Sequence, residues 1–296
     1  MKISIITPCL NRAEFIAEAV ESVLVQNYPY FEHIIIDGGS TDGTLDLVKK
    51  YDHLNLVSGH DQGMYDALNK GIDLATGEII SFLNTDDLYG EDAFRSVVGL
   101  FENEGVLAVA GNAIVFSNEA AGKVKIINQY SPVNTDLMEC STIGSNYFNA
   151  WFFRRSVFST IGIFDINYRV AGDREFMFRF ALAGLKYVTV DKLIYQYRQH
   201  SDSMTFDDNI DKRRNSVAEH LQMTGLYLRD AKVPKPVKIL LKQLRSRVTL
   251  GMAIRYVKAR AFDKVPYYVA AGMQYDLFWL VKFWKVLFSK AKHERG

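Results

Sequence analysis

Ten residues, Glu78 to Asp87 (EIISFLNTDD), limit most sharply what this chain can fold into. Ile79, Ile80, Phe82 and Leu83, interrupted only by Ser81, predict a strand buried on both faces of a parallel sheet. The run stops abruptly at Asn84, Thr85, Asp86 and Asp87. Two adjacent carboxylates at the end of a buried strand are costly unless a cation meets them. In open α/β sheets that end of the strand is also where ligands bind. Two readings follow. One is an Asx-rich turn in which Asp87 caps the next helix. The other is a divalent cation held by Asp86 and presented to the phosphates of a substrate.

The preceding chain has the periodicity that such a sheet requires. Ile3–Thr7 reads as a strand stopped by Pro8, and Asn11 as the cap of a helix over 13–25. His33–Asp37 is a second strand ending in a carboxylate. It is followed by Gly38–Thr44 (GGSTDGT), a loop leading into a helix capped by Ser40, Thr41 or Asp42. Leu54–Ser58 reads as a third strand and Asp66–Ala75 as a third helix. Strand and helix alternating in this way predict right-handed βαβ units. After the first strand comes TPCLNRAEF, which has no GxGxxG, and no GxxxxGK[ST] occurs anywhere, so a dinucleotide-binding or P-loop fold is excluded. Val106–Val109 and Ala113–Phe116 read as two short strands, with Lys123–Asn128 completing a hairpin. Tyr147, Phe148, Trp151, Phe152 and Phe153 read as core in preference to a sugar platform, the alternative for such a cluster. Leu185–Asp191 is the last strand expected.

Four segments together resemble the family 2 glycosyltransferases of the GT-A, nucleotide-diphospho-sugar fold, closest to bacterial O-antigen and exopolysaccharide enzymes. They are Thr7–Arg12 (TPCLNR), Gln26–Thr44 (QNYPYFEHIIIDGGSTDGT), Asp61–Gly71 (DQGMYDALNKG) and Phe82–Tyr89 (FLNTDDLY), in the family's order and spacing. The resemblance covers about residues 1–205. It implies a Rossmann-like, mainly parallel α/β sheet and an inverting transferase that moves a sugar from a nucleotide-diphosphate donor, UDP-linked, to a lipid-linked saccharide. Thr7, Pro8, Asn11 and Asp37 would border the nucleoside. Asp61, Asn69 and Lys70 would approach the donor, alongside Asn84, Thr85 and Asp87, and Asp86 would ligate Mg²⁺ or Mn²⁺. Asn84 stands where the family's metal motif usually begins with Asp. Ala171–Gly172–Asp173 fits the segment that carries the family's general base, so Asp173 is the expected base and Glu175 the alternative. Tyr197–Thr205 (YRQHSDSMT) matches a family ending in which Arg198 and His200 would grip diphosphate or acceptor. Rival readings are a sugar-phosphate nucleotidyltransferase, which would need a basic Gly-rich loop after the first strand, and a non-catalytic saccharide-binding protein.

Charge separates the chain into two parts. Residues 1–209 hold 16 Lys/Arg and 28 Asp/Glu, a net of −12, whereas residues 210–296 hold 19 and 6, a net of +13. We therefore expect a catalytic domain over 1–209 and a basic helical region over 210–296, broken at Pro234, Pro236 and Pro266. Leu277–Phe288 gathers Leu277, Phe278, Leu280, Val281, Trp284 and Phe288 beside Lys282 and Lys285, with Lys290 and Lys292 beyond. That pattern suits a helix lying on an anionic membrane surface, or one packed on the catalytic domain. No recognition motif for nucleic acid accompanies the charge. Two cysteines, Cys9 and Cys140, make no disulfide framework, and the N-terminus runs straight into a strand. A cytoplasmic protein, peripheral on the inner membrane face, is the expectation.

Overall fold

The structure is a computed structural model that describes residues 1–119, 123–145, 147–200, 210–281 and 284. It divides into two compact units: Met1–Leu137 with Asn146–Phe206, and Met138–Ser145 with Asp207–Gly296.

In chain order the first unit runs β1 (Ile3–Cys9), α1 (Ile16–Leu24), β2 (Phe31–Asp37), α2 (Thr44–Val48), β3 (Leu54–Ser58), α3 (Met64–Leu74), β4 (Ile79–Phe82), β5 (Leu88–Tyr89), α4 (Ala93–Val98), β6 (Ala108–Asn118) and β7 (Val124–Tyr130). After α5 (Leu137–Thr142), which belongs to the second unit from Met138 on, the first unit continues with β8 (Trp151–Arg154), α6 (Ser156–Ile161), α7 (Gly172–Leu182) and β9 (Tyr187–Arg198). One sheet has the strand order β3-β2-β1-β4-β8-β6-β9-β5, with β7 on the side of β6. β1 to β4 are mutually parallel; β8 enters antiparallel between β4 and β6, and β6 pairs parallel with β9. Two reversals restore the direction, so the C-terminal ends of β1, β2, β3, β4 and β9 and the N-terminal end of β8 share one edge.

The structure corrects several sequence expectations. Pro8 does not stop β1 but pairs opposite Ile36 within it. The ladder between β1 and β4 ends at Ile6 and Phe82, so the position where proline lacks an N–H faces no strand. The two short strands of residues 106–116 are one strand, β6, which absorbs its irregularity at Gly111–Ala113. β9 continues to Arg198 instead of ending at Asp191. Asn11, Ser40 and Thr41 cap no helix: the residue before α1 is Phe15 and that before α2 is Gly43 in the left-handed region, while Asp42 accepts the N–H of Thr44, the first residue of α2, at 3.0 Å. Asp87 is followed by β5, not by a helix, so the capping reading of that residue falls.

β4 is buried along its whole length, as its sequence requires. The face beside α7 is aromatic: Phe176 lies 4.9 to 5.9 Å, ring centre to ring centre, from Phe164, Phe158, Phe153 and Phe148. Phe148, Trp151, Phe152 and Phe153 are therefore core, as expected. Such ring pairs each contribute about 0.5–1.5 kcal/mol beyond the area they bury.

Within β2, His33 is fully buried, its Nε2 at 2.9 Å from the Thr7 hydroxyl of β1 and its Nδ1 without a hydrogen-bond partner among the described residues. Burial, with nearby His53 adding, lowers its pKa to about 3. The folded ring stays neutral while an unfolded one takes a proton near 6.5, so stability is greatest above about pH 6.5 and falls as pH drops toward 3. Each unit in that window costs about 1.4 kcal/mol. Urea midpoints at pH 7.5, 6.5 and 5.5 are expected to fall in that order, with a shallower trend in His33→Gln; parallel trends would assign the loss to other groups.

The second unit contains α8 (Ile210–Arg229), α9 (Lys235–Lys258) and α10 (Val265–Met273). Pro236 and Pro266 lie in the first turns of α9 and α10, where a missing N–H costs nothing. Trp279 is fully buried against Gly272 and donates its indole N–H to Thr249 at 2.8 Å. Leu277 and Phe278 beside it are 82% and 72% exposed. Lys282, Lys285, Phe288, Lys290 and Lys292, named above for the last helix, lie outside the described residues, as does Ser201–Thr205 of the YRQHSDSMT segment. No described helix is long and apolar enough to cross a membrane.

Candidate active site

The parallel register sets Cys9, Asp37 and Ser58 in one row at the C-terminal edge of the sheet. Asp37, buried, accepts the Ser58 hydroxyl at 2.7 Å and the N–H groups of Gly39 and Ser40 at 3.0 and 3.1 Å. Burial raises its carboxyl, but the bonds from Ser40, Ser58 and Gly39 outweigh that and hold it below its ordinary value. It is a fixed anion at the end of β2.

Asn11 ties this row to the loop after β1. It is left-handed, with φ at +53°. Its side-chain oxygen accepts the Thr41 N–H at 2.9 Å and its own N–H donates to the Ser40 hydroxyl at 2.7 Å. Asp42 completes the seam by accepting the Ala13 N–H at 3.0 Å. Asp61, after β3, accepts the Gly63 N–H at 2.9 Å and lies over Gly38. A Cβ at Gly38 would stand 2.6 Å from its Oδ2, so the GGS turn requires glycine there.

Residues 84–87 separate sharply by task. Asp87 is buried and accepts the Tyr195 hydroxyl at 2.9 Å, the Arg198 N–H at 2.8 Å and the Asn84 amide at 3.0 Å. Burial pushes its carboxyl up, and the charge of Asp86 adds to the rise. Thr85 is also buried. Asp86 is the partly exposed acid: its Oδ2 is 2.9 Å from His200 Nε2, with the two side chains 20% and 14% exposed. The sequence places Asn84 in a metal motif, whereas the structure turns its amide onto Asp87. Asn84→Asp would bring two carboxylates within hydrogen-bonding distance. It is expected to cost roughly 1–3 kcal/mol of stability, read as a lower urea midpoint, rather than to tighten cation binding; an unchanged midpoint with tighter Mn²⁺ dependence would reverse this assignment.

Two further expectations change. Arg198 is 4% exposed. It donates to the Asp86 carbonyl at 2.9 Å and to Glu18 at 2.6 Å, between the rings of Phe15 and Phe116. It buckles β9 to the 84–87 turn. Asn69, buried, donates to Phe164 O at 2.9 Å and accepts Phe164 N–H at 3.0 Å, a closed clasp. Lys70 is exposed and pairs with Asp66 at 3.0 Å and the His60 carbonyl at 3.0 Å.

Asp173 stands in the first turn of α7, half-buried, its Oδ1 accepting the Arg174 N–H at 2.7 Å. The Tyr65 hydroxyl lies 3.4 Å from that oxygen, accepts the Asp173 N–H at 3.1 Å and donates to Val170 O at 3.1 Å. Gly172 lets Tyr65 this close, since a Cβ there would meet the ring at 2.6 Å. Burial raises the Asp173 carboxyl above its ordinary value. Glu175, the alternative base, is 4% exposed and bonded through both oxygens to Arg179 at 2.9 Å, so it holds the fold.

Sequence reasoning missed Tyr65, Asn149, Tyr195 and Tyr197. Asn149 donates its amide to the Tyr195 hydroxyl at 3.1 Å and its backbone N–H to that of Tyr197 at 2.9 Å. Its position before antiparallel β8 carries it to this edge. The β-prone run Leu193–Arg198 (LIYQYR) was the available signal for the tyrosines.

Solved structures share this architecture. Staphylococcus aureus TarS in complex with UDP-GlcNAc superposes with a TM-score of 0.57 at 19% identity, over 93% of this chain and 91% of that one. The chain spans 43% of a longer TarS structure. The mannosyltransferase PcManGT of Pyrobaculum calidifontis, in complex with GDP-Man and Mn²⁺, gives 0.59 at 19% over 98% and 84%. Among sequences, a PGL/p-HBAD biosynthesis glycosyltransferase of Mycobacterium bovis is 35% identical over 183 residues, 60% of this chain and 68% of the relative. The putative teichuronic acid biosynthesis glycosyltransferase TuaG of Bacillus subtilis is 36% identical over 95 residues, 30% and 38% of the two chains.

Fold and site together define a glycosyltransferase with the GT-A architecture. The family model "Glycosyl transferase family 2" matches residues 4–162, and the chain belongs to that family. The nucleotidyltransferase and non-catalytic readings are thereby set aside.

Proposed function

We propose that the protein transfers a sugar, with inversion, from a nucleotide-diphosphate donor that is UDP-linked to a lipid-linked saccharide in bacterial surface polysaccharide synthesis, of which O-antigen is one form. The observation that carries this reading is the gathering of Asp37, Asp61 and the Asp86–His200 pair at one sheet edge, with Asp173 joined through Tyr65 to the α3 segment that follows Asp61. UDP-GlcNAc and GDP-Man in the structural neighbours support the donor class, and the name of TuaG supports the polysaccharide setting.

In this reading Thr7, Pro8, Asn11 and Asp37 border the nucleoside, while Asp61, Lys70 and Asp86 face the rest of the donor. Asp173 takes the proton of the acceptor hydroxyl as that oxygen attacks carbon 1, and the diphosphate leaves from the opposite face. A carboxyl raised by burial suits a proton acceptor near neutral pH. Among the described residues no group of three or more His, Cys, Asp or Glu is placed to hold a metal. A carboxylate oxygen and an imidazole nitrogen 2.9 Å apart nevertheless fit Mn²⁺ or Mg²⁺ that draws its other ligands from diphosphate and water. Asp86 and His200 would hold that cation, which supplies charge neutralisation of the leaving diphosphate.

The exposed Leu277 and Phe278 beside a net charge of +13 support an interfacial role for the C-terminal unit on an anionic leaflet, at the inner face of the membrane. Hydrolysis assays across UDP- and GDP-sugars, with and without Mn²⁺, test the transferase reading. UDP release from at least one UDP-sugar is expected, and silence across all donors would overturn it. Loss of anionic-vesicle binding on truncation after Pro266 tests the membrane role; equal sedimentation of both forms would refute it.

A further inference from the structure

The C-terminal unit contains a basic pocket lined by its own helices. On α8, Leu221, Gln222, Gly225, Leu226 and Arg229 recur at spacings of one and three, and so share one helical face. With Arg245 of α9 and Gln274–Tyr275 after α10 they line a cavity of about 300 Å³. Arg245 is 7% exposed. Its Nε donates to Ala271 O at 3.0 Å, its Nη1 to Leu221 O at 2.9 Å and the Thr224 hydroxyl at 3.2 Å, and its Nη2 to Gln274 Oε1 at 2.9 Å. The Tyr275 ring lies 5.0 Å from the guanidinium. Four of five N–H donors are thus met by neutral oxygens, leaving one Nη2–H and the whole positive charge.

Arg229 lines the same cavity, and no lining residue is acidic. Among the described residues no carboxylate pairs with either arginine. Burial works against the charged form of Arg245; Tyr275 and Tyr267 favour it, and the Arg229 charge opposes it again. As a staple between helices, a neutral amide would serve at lower desolvation cost. Two guanidiniums, two carboxamides and a half-buried ring around one cavity instead match the planar, bidentate demands of an oxyanion.

We propose that this pocket binds a phosphate group, as a free phosphate ester or as the headgroup of a lipid. Arg245 is the buried anchor, and Arg229 closes on the anion from the rim. Gly225 keeps the mouth open: a Cβ there would stand 3.8 Å from Arg245 Nη1, and a longer side chain would fill the space the anion needs.

The inference is independent of the transfer reading, so donor hydrolysis by Arg229→Gln is expected at the wild-type rate. Calorimetric titration of inorganic phosphate into the full-length protein, at ionic strength held constant with chloride, provides the test. Wild type is expected to bind, and Arg229→Gln and Gly225→Leu each to weaken binding roughly tenfold or more, the scale of one lost charge-assisted hydrogen bond. Melting curves confirm that both variants fold. No phosphate binding beyond the chloride reference, or equal affinity in wild type and both variants, would overturn the site.

Vesicles of phosphatidylcholine with and without phosphatidic acid identify the source. Binding to phosphatidic acid that free phosphate competes away, and that Arg229→Gln reduces, assigns a lipid headgroup. Vesicle binding indifferent to both, with phosphate still titrating, assigns a soluble ester.

Discussion

Asp173→Asn is expected to lower turnover by about 10²–10⁴-fold, the usual contribution of a positioned general base, while UDP affinity stays close to wild type. The substitution keeps the shape of the side chain. Its amide oxygen still accepts the Arg174 N–H, and the Asp173 N–H still donates to Tyr65, so the first turn of α7 is expected to persist. Only basicity is lost. The residues proposed to border the nucleoside stand on β1, β2 and their loops, with Asn11 and Asp37 linked through Ser40, and no bond to the Asp173 carboxylate holds them. Because burial raises the Asp173 carboxyl, and the reactive form is the anion, the acid limb of the rate profile should fall at a pH above the ordinary aspartate range. That limb should vanish in Asp173→Asn. UDP titration beside a turnover assay separates the outcomes. Near-normal turnover would refute the base, and joint loss of UDP affinity and turnover would make Asp173 a binding or folding residue. Tyr65→Phe adds a check on positioning: it removes the hydroxyl that accepts the Asp173 N–H and should lower turnover less than Asp173→Asn does.

Asp86→Ala is expected to abolish transfer, a loss on the order of 10³-fold or more for several kcal/mol of charge stabilisation. Excess chelator should do the same to wild type, with Mn²⁺ restoring it. The fold should survive, because the side chain is partly exposed and the Arg198 bond in this turn goes to the Asp86 backbone carbonyl. Asp87→Ala makes the contrast. It would strand the Tyr195 hydroxyl, the Arg198 N–H and the Asn84 amide in a buried place, and is expected to unfold the edge of the sheet. Full activity of wild type in chelator would remove the cation from the reading, and a cooperative melt lost in Asp86→Ala would make that residue structural as well.

The sequence by itself determined whatever depends on near neighbours. Ile79–Phe82 had to be a buried strand because apolar residues without alternation suit a position covered on both faces, and β4 is buried throughout. The carboxylates at the ends of β2 and β4 were equally legible, since chain direction alone sends parallel strand ends to one edge. Glu175 could have been dropped from the sequence too, because Arg179 stands four residues on along the same helix.

Tertiary structure alone decided which polar groups are spent. Asp86 and Asp87 are adjacent and chemically identical, yet Arg198, 111 residues on, bonds the carboxylate of Asp87 through its backbone N–H, and His200, 114 residues on, meets Asp86. Asn69 is closed off by Phe164, 95 residues away, and Arg198 by Glu18, 180 residues away. Such partners are set by antiparallel β8 between β4 and β6, a topological choice with no local signature. A hydrogen bond depends on distance in space, and chain spacing predicts that distance only within a turn or two.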